Sequence, residues 1–235
     1  MAIFMSPAGS DRTVGKRERR KRATLLALRV AAIDLSARRG FSNVTVEDIA
    51  GAAGVSVRTF FNYFDSKETA LVGGDPGFIE SLRAGLTVLP RTMPPLAALR
   101  LVILARARDM TDELAASPAH QAALLRRMAV VQAEPGLLAA HTRQLAAVER
   151  ELRETLVTWL GGDARVEPYA ALLAASVMGA MRVAGMCWSA RGGELPADEV
   201  TGAALDALAG GLSFELPDRA GDTAAQLFWT RPAAG

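Results

Sequence analysis

The chain has 235 residues and a mass of 24.8 kDa, which suffices for one or two domains with a sizeable hydrophobic core. Half of the residues are hydrophobic, 6% are aromatic and 22% are charged with both signs, so a disordered or fibrous chain is excluded. The net charge of +2 is unevenly distributed, because residues 1–65 carry eleven Lys and Arg against six Asp and Glu.

Cysteine and histidine are too few for a disulfide framework and make an all-protein zinc site improbable. The chain has one cysteine, Cys187, and two histidines, His120 and His141. We therefore expect no metal and no cofactor. The first five residues lack the apolar segment that a signal peptide needs, so we expect a cytoplasmic protein.

The first predicted helix spans residues 16–39 and begins with a basic run, preceded by a disordered arm at residues 1–15. Residues 16–22 place six positive charges in seven positions, among them Arg17 and Arg20. Such a run is either the solvated start of a helix, where positive charge opposes the helix dipole, or a surface that contacts a polyanion. Nucleic acid and a membrane surface are both polyanions, and we favour contact with the phosphates of DNA.

Gly and Pro divide the rest of the chain into helix-length segments without strand alternation or internal repeats, which predicts an all-α fold. Gly40 is expected to end the first helix, and Thr45 and Ser56 are expected to cap the second and third. The later predicted helices are residues 46–53, 57–63, 67–89 with a break at 73–77, 96–116, 119–133, 137–160, 167–189 and 198–209.

Residues 46–65 carry the pattern of a DNA-binding helix-turn-helix. This motif needs two helices that cross closely, a turn residue that tolerates positive φ, and apolar residues that fix the second helix. Ala50 is small where the helices would meet, and Gly54 stands in the turn. The alternative is an ordinary helical turn with solvated polar residues, which leaves the agreement of these features unexplained. The expected apolar contacts are Ile49, Ala53, Val55, Phe60 and Tyr63 or Phe64.

The second helix of the motif carries residues whose chemistry suits the major groove of DNA, which accepts one helix. Arg58 can pair with guanine or bind phosphate, and Asn62 can read adenine or position the backbone. Ser56 and Thr59 can donate to phosphate oxygens, and Lys67 adds charge beside the next helix N-terminus. The residues expected to face outward at this helix are Val57, Arg58, Thr59, Phe61 and Asn62.

Residues 41–71, FSNVTVEDIAGAAGVSVRTFFNYFDSKETAL, resemble the N-terminal DNA-binding domain of the TetR family of bacterial transcriptional regulators. Within them, the run YFDSKE at residues 63–68 is similar to the element that opens the family's helix four. The resemblance implies a homodimer that binds a palindromic operator and leaves DNA when a small molecule binds the C-terminal domain. The DNA contacts that the resemblance implies are Thr45, Arg58, Thr59, Asn62, Tyr63 and Lys67.

Two features depart from the family pattern. Phe61 stands where many members have a tyrosine whose hydroxyl reaches phosphate, so it is expected to contact a thymine methyl group or to pack. The Gly-rich break at residues 73–77 interrupts helix four, which in the family links the ligand pocket to the DNA reader. This break either disturbs that link or serves it as a hinge.

Residues 96–216 are rich in Ala, Leu, Val and Met, a composition that can leave an apolar cavity between helices. Methionine at helical spacing is also a common core filler, so both interpretations stay open. The candidate contacts for a small, largely apolar ligand are Arg106, Met110, Met128, His141, Met178 and Arg182.

Residues 169–190 are almost wholly apolar, but Arg182 lies among them and many of the others are small. We therefore predict a buried helix of a soluble protein and no membrane partner. Its smooth face either packs inside one subunit or forms a two-fold dimer interface, and a dimer is what a single recognition helix needs to read enough base pairs. The expected interface residues are Ala171, Ala175, Gly179, Val200, Ala204 and Leu208.

Catalytic motifs are missing from the sequence, since the two histidines lie on different predicted helices and no P-loop, dinucleotide motif or Ser nucleophile motif occurs. We therefore predict that the protein is not an enzyme, and the resemblance to the TetR family implies a repressor. A three-helix helix-turn-helix domain at residues 16–72 precedes a helical ligand-binding and dimerisation domain at 73–216 and a polar tail at 217–235. The alternative is a helical small-molecule-binding protein or enzyme without operator binding.

Overall fold

The computed structural model describes residues 10–73 and 77–212, with side chains from residue 20 onward. Every regular element in these ranges is helical, which confirms the predicted all-α class. Two short 3₁₀ turns, at Phe41–Asn43 and Ala164–Val166, accompany the α-helices. The α-helices are α1 Ser10–Arg39, α2 Val46–Ala52, α3 Val57–Phe61, α4 Lys67–Val72, α5 Phe78–Thr87, α6 Pro95–Ala115, α7 Pro118–Ala133, α8 Pro135–Trp159, α9 Glu167–Ala190 and α10 Ala197–Ala209.

The first helix begins six residues before its predicted start, so residues 10–15 of the predicted arm are helical. Gly15 costs a helix only about 1 kcal/mol, which the many turns that follow it outweigh. At the other end, Gly40 has a φ of +76° and its N–H donates to the carbonyl of Ser36 at 2.9 Å, which confirms the predicted helix stop. Residues 1–9 of the arm and the predicted tail at 217–235 lie outside the described residues.

The chain divides into two compact units, and the first combines the N-terminal helices with a segment from later in the sequence. It contains the residues up to Val72 together with Ala122–Ala140, which are most of α7 and the start of α8. The sequence suggests a single domain boundary after residue 72. Such a boundary assigns residues 122–140 to the second domain, although their aliphatic side chains belong to the core of the first unit. The buried core residues of the first unit are Leu28, Ala32, Ile33, Val44, Ile49, Ala50, Phe60, Phe64, Ala70, Leu71, Val72, Ala123, Val130, Val131 and Leu137.

The second unit contains Gly73–Gln121 and the chain from His141 onward. Its core is closed by the Trp159 indole, which donates to the carbonyl of Leu86 at 2.8 Å and so joins the ends of α8 and α5. One contiguous cluster of buried core residues in this unit consists of Leu82, Leu86, Ala98, Leu99, Ile103, Leu152, Leu156, Trp159, Ala170, Leu173, Ala174, Val177 and Leu205.

Candidate DNA-binding surface

The helix-turn-helix begins with α2, which Thr45 and Asp48 cap reciprocally. The Asp48 N–H donates to Thr45 Oγ1 at 3.1 Å, and the Thr45 N–H donates to Asp48 Oδ2 at 3.0 Å. The Thr45 hydroxyl donates to the same carboxylate at 2.9 Å. These bonds, together with the smaller effect of the Arg39 charge, lower the pKa of Asp48. The predicted cap is confirmed, and the carboxylate that holds it is ionised at neutral pH.

The turn between α2 and α3 has the geometry that the sequence predicts. Gly54 has a φ of +69°, a conformation that favours glycine, and the Val55 N–H donates to the carbonyl of Ala50 at 3.0 Å. Ala50 is buried, which allows the two helices to approach closely. Because α2 and the turn are fixed in this way, the direction of α3 is fixed as well.

The recognition helix α3 is capped by Ser56 and anchored by Phe60. Ser56 Oγ accepts the Thr59 N–H at 3.1 Å and shares a second hydrogen bond with the Thr59 hydroxyl at 2.9 Å, which confirms the predicted cap. Phe60 is fully buried, and the ring of Phe61 meets it edge to face with 5.5 Å between the centroids. The helix is therefore held on its inner side and leaves its outer side to solvent.

Four predicted DNA contacts on or next to α3 are exposed, and the capping residue Ser56 is one of them. The Arg58 guanidinium and the Asn62 amide have no side-chain partner in the part of the chain that the structure describes, and Phe61 is 53% exposed. Val57 differs from the prediction, because it packs partly against the core of the first unit and presents only part of its side chain. The exposed groups are therefore one hydroxyl, one guanidinium, one amide and one phenyl ring.

Aromatic packing after α3 involves both residues between which the sequence left a choice. Phe64 is buried in the core, and Tyr63 packs partly against it. The Arg29 guanidinium lies 5.7 Å from the centre of the Phe64 ring. Tyr63 therefore has a structural role, to which a DNA contact of its hydroxyl would be additional.

Lys67 has a different environment from the one expected of a phosphate ligand. Its ammonium donates to the carbonyls of Phe41 and Val44 at 3.1 and 2.9 Å and lies 4.3 Å from the centre of the Phe41 ring. The DNA contact of Lys67 that the sequence suggests stays a prediction. Two of its three N–H donors fix the loop before α2, which leaves one for a phosphate.

The basic run at the start of α1 is helical where the structure describes it. Arg20 is exposed, and its guanidinium has no partner among the described residues. The side chain of Arg17 lies outside the described part of the chain. The predicted phosphate contacts of this run stay a prediction.

The six candidate ligand contacts are divided between the two units. Met128 belongs to the first unit, whereas the other five belong to the second. Met178 packs against the second core, Arg106 lies 3.9 Å from the carboxylate of Glu113, and Arg182 is exposed. Methionine at helical spacing acts here partly as core filler, which is the alternative that the sequence left open.

A cleft of about 420 Å³ opens in the second unit where the C-terminal ends of α5 and α8 meet. None of the six candidates lines it, because the cleft arises from the packing of two distant segments rather than from the spacing along one helix. Its wall combines three apolar side chains with two arginines, one glutamate and three threonines. The lining residues are Arg83, Leu86, Thr87, Leu89, Arg91, Glu154, Thr155, Thr158 and Trp159.

Helix α9, rather than α10, presents an apolar face to solvent. Val200 and Ala204 of α10 are buried inside the protomer and Leu208 packs partly against the second core, so the expected interface on α10 is corrected. Residues 164–190 are long and apolar enough to cross a membrane by length and composition, and only 28% of their most apolar part is buried. The outer face of α9, at helical spacing, consists of Leu172, Ala175, Gly179, Val183 and Met186.

Comparisons with known proteins match both parts of the chain. Residues 28–71 match the family model of the bacterial regulatory proteins of the tetR family, and residues 93–213 match the model of the MftR C-terminal domain. The transcriptional regulator TcmR of Streptomyces glaucescens is 34% identical over 152 residues, which cover 63% of this chain and 66% of TcmR, just under two thirds of its length.

Two further comparisons cover more of the chain. MftR of Mycobacterium tuberculosis, a putative mycofactocin biosynthesis transcriptional regulator, is 29% identical over 194 residues, which cover 83% of this chain and 93% of MftR. The solved structure of the fatty acid degradation regulator FadR from Bacillus halodurans covers 82% of this chain and 97% of its own, with a TM-score of 0.50 and 18% identity, so it shows a similar fold. The chain belongs to the TetR family of bacterial transcriptional regulators, which bind DNA through a helix-turn-helix.

Proposed function

We propose that this protein is a homodimeric repressor that binds a palindromic operator and leaves it when a small, largely apolar molecule binds the second unit. The observation that carries the proposal is the free outer face of α3. There Arg58 and Asn62 lie exposed on a helix that Ser56 caps and Phe60 anchors. A guanidinium and an amide held on a rigid helix are the groups that read guanine and adenine in a major groove. We also propose that the protein is cytoplasmic and that it is not an enzyme.

The homodimer is supported by the outer face of α9. Leu172 is 68% exposed and Met186 is 58% exposed, and an added Cβ at Gly179 between them would meet no atom within 4 Å. A contiguous apolar face on a helix is what a two-fold contact between protomers covers, while Gly179 lets a second helix approach closely. Two copies of α3 would then read two half-sites.

The effector is supported by the cleft at the ends of α5 and α8. Leu86, Leu89 and Trp159 supply apolar wall, and the guanidinium groups of Arg83 and Arg91 have no partner among the described residues. A molecule with an apolar body and an acidic group would contact both kinds of side chain. We therefore place the effector of the repressor in this cleft.

Operator binding is tested by selecting duplexes from a randomised pool with the full chain. We expect a palindrome whose half-sites are about one helical turn, roughly 34 Å, apart or a multiple of this. Arg58→Ala should weaken binding to the selected site about tenfold or more and relax base preference in the half-site, because a bidentate contact to a base is lost. The measurement is fluorescence anisotropy on the selected duplex and on single-base variants of it.

Arg150→Ala is the matched control, because it removes the same charge from an exposed position of α8 in the second unit and should leave base preference unchanged. Unaltered discrimination by Arg58→Ala would contradict the proposed role of α3. If the wild-type chain binds no duplex at low salt, the alternative of a helical small-molecule-binding protein or enzyme is favoured instead.

Effector release is tested on the same complex with dodecanoic acid as the probe and dodecanol as the matched uncharged compound. Dodecanoic acid should release the duplex at lower concentrations than dodecanol, because its carboxylate can pair with Arg83 and Arg91. The measurement is the loss of anisotropy during the titration. Equal potency of the two compounds would refute the role of the arginines, and a complex that resists both would refute the proposed effector class.

A further inference from the structure

Arg127 of α7 holds the C-terminal end of α4. Its Nε donates to the carbonyl of Leu71 at 2.6 Å, and its Nη2 donates to the carbonyl of Val72 at 2.7 Å. These are the last two carbonyls of α4, and a helix has no partners of its own for them. One planar guanidinium therefore satisfies both.

The environment of this guanidinium is unfavourable to its charge. Burial, with the charge of Arg29 as a smaller cause, lowers the pKa of Arg127 to about 10. No carboxylate pairs with it among the described residues, and the two carbonyls are its hydrogen-bond partners there. A buried cation without a counter-ion does not favour folding by itself. The contribution of Arg127 must therefore lie in the position that its two hydrogen bonds give to the end of α4.

The other end of α4 is fixed to the helix-turn-helix. Lys67, the first residue of α4, donates to the carbonyls of Phe41 and Val44, which directly precede α2. At this end Ser66 and Thr69 also cap each other. Because α4 has only six residues, it depends on such contacts for its position.

We propose that Arg127 is a positioning residue for DNA binding, which holds the end of α4 against α7 and so keeps α3 in the orientation that reads an operator. It touches no DNA and acts through α4 alone. The proposal rests on the operator binding proposed above. It also identifies α7, which lies some fifty residues further along the sequence, as a part of the DNA reader.

The neighbouring Arg126 provides a matched control. Its Nη2 lies 2.5 Å from Asp34 Oδ1 on α1, but its side chain is 49% exposed, and exposed ion pairs contribute little. Both residues belong to α7 and carry the same side chain. They differ in what they hold, which is the end of α4 for Arg127 and a partly buried carboxylate of α1 for Arg126.

The experiment compares Arg127→Met with Arg126→Met in the full chain. Each variant is titrated with the operator selected by the wild-type chain and with an unrelated duplex of equal length at low salt. Arg127→Met should bind the operator about tenfold or more weakly, whereas its binding to the unrelated duplex, which depends on surface charge, should change less than about twofold. Arg126→Met should retain both affinities.

Two further measurements separate positioning from folding. Amide hydrogen exchange should become faster in α4 of Arg127→Met and stay unchanged in the buried part of α1. Arg127→Lys keeps the positive charge but cannot donate to both carbonyls with a planar fork, so it should also lose operator affinity.

Wild-type affinity for the operator in both Arg127 variants would overturn the inference. An equal loss of binding to both duplexes, or failure of both variants to fold, would also overturn it. Arg127 would then support the fold as a whole rather than the orientation of α3. If the wild-type chain selects no operator, the proposed function fails before any variant is compared.

Discussion

The hydroxyl groups at the starts of α2 and α3 differ in the protons that they can offer to a phosphate. The Thr45 hydroxyl donates to Asp48, so its proton is engaged in the cap of α2. Ser56 and Thr59 share one hydrogen bond between their hydroxyl groups, and this bond uses one of their two protons. The remaining proton is available to a phosphate oxygen, which makes the N-terminal turn of α3 the site where a backbone contact fits best.

At Phe61, the substitution Phe61→Tyr distinguishes between the two roles that the sequence left open. The ring is 53% exposed while one edge packs on Phe60, so an added hydroxyl would extend into solvent without disturbing the core. If the ring lies against the DNA backbone, the hydroxyl should donate to a phosphate and strengthen operator binding about tenfold. Anisotropy titrations measure the affinity, and thermal denaturation should show an unchanged melting temperature.

Weaker operator binding by Phe61→Tyr would contradict this expectation and indicate that the ring contacts a thymine methyl group, where a hydroxyl is unfavourable. Unchanged binding would indicate that Phe61 only packs against Phe60. The slope of log affinity against log salt should stay the same in every case, because the substitution neutralises no phosphate.

At the scale of the helices, the features that the sequence predicted are local. Gly40 and Gly54 adopt positive φ, and Thr45 and Ser56 cap α2 and α3 as expected. Each of these features depends on a few neighbouring residues, so it can be read from a short window of sequence. The same holds for the break after α4, since α4 ends at Val72 before the Gly-rich segment.

The features that the sequence missed depend on which helix covers which. The helical spacing of apolar residues shows that α10 buries one face, but it does not show what covers that face. In the structure, Val200 and Ala204 of this face are covered within the protomer. Likewise, nothing near Arg127 indicates that its partners are two carbonyls more than fifty positions earlier. The exposure of Leu172 and Met186 could have been predicted from the helical spacing of the large apolar residues on α9. The small residues of this helix, on which the prediction relied, do not show it.

Across the whole molecule, the excess of positive charge and the exposed apolar stripe belong to different units. The N-terminal residues carry the excess of positive charge, whereas the exposed apolar stripe lies on α9 in the second unit. This separation fits a protein in which one surface faces phosphates and another is covered by a second copy of the chain.

Leu172→Glu tests the proposed dimer. In a two-fold interface each residue occurs twice, so two buried leucines would be lost, at about 1.5 kcal/mol or more each, and two carboxylates would be placed in an apolar contact. We expect the dissociation constant of the dimer to rise at least about 100-fold. Sedimentation velocity over a range of protein concentrations measures this change, with a dimer expected for the wild-type chain and a monomer for the variant.

Leu101→Glu is the matched control, because Leu101 is also an exposed leucine of the second unit, at 49%, but lies on α6. It should remain a dimer and bind the selected operator normally. Leu172→Glu should bind the operator more weakly, since its two half-sites would have to be filled by separate monomers, while its affinity for an isolated half-site should equal that of the wild-type chain. A Leu172→Glu variant that stays dimeric would show that α9 is not the interface, and a monomeric wild-type chain at the concentrations that bind the operator would show that the protein reads DNA as a single copy.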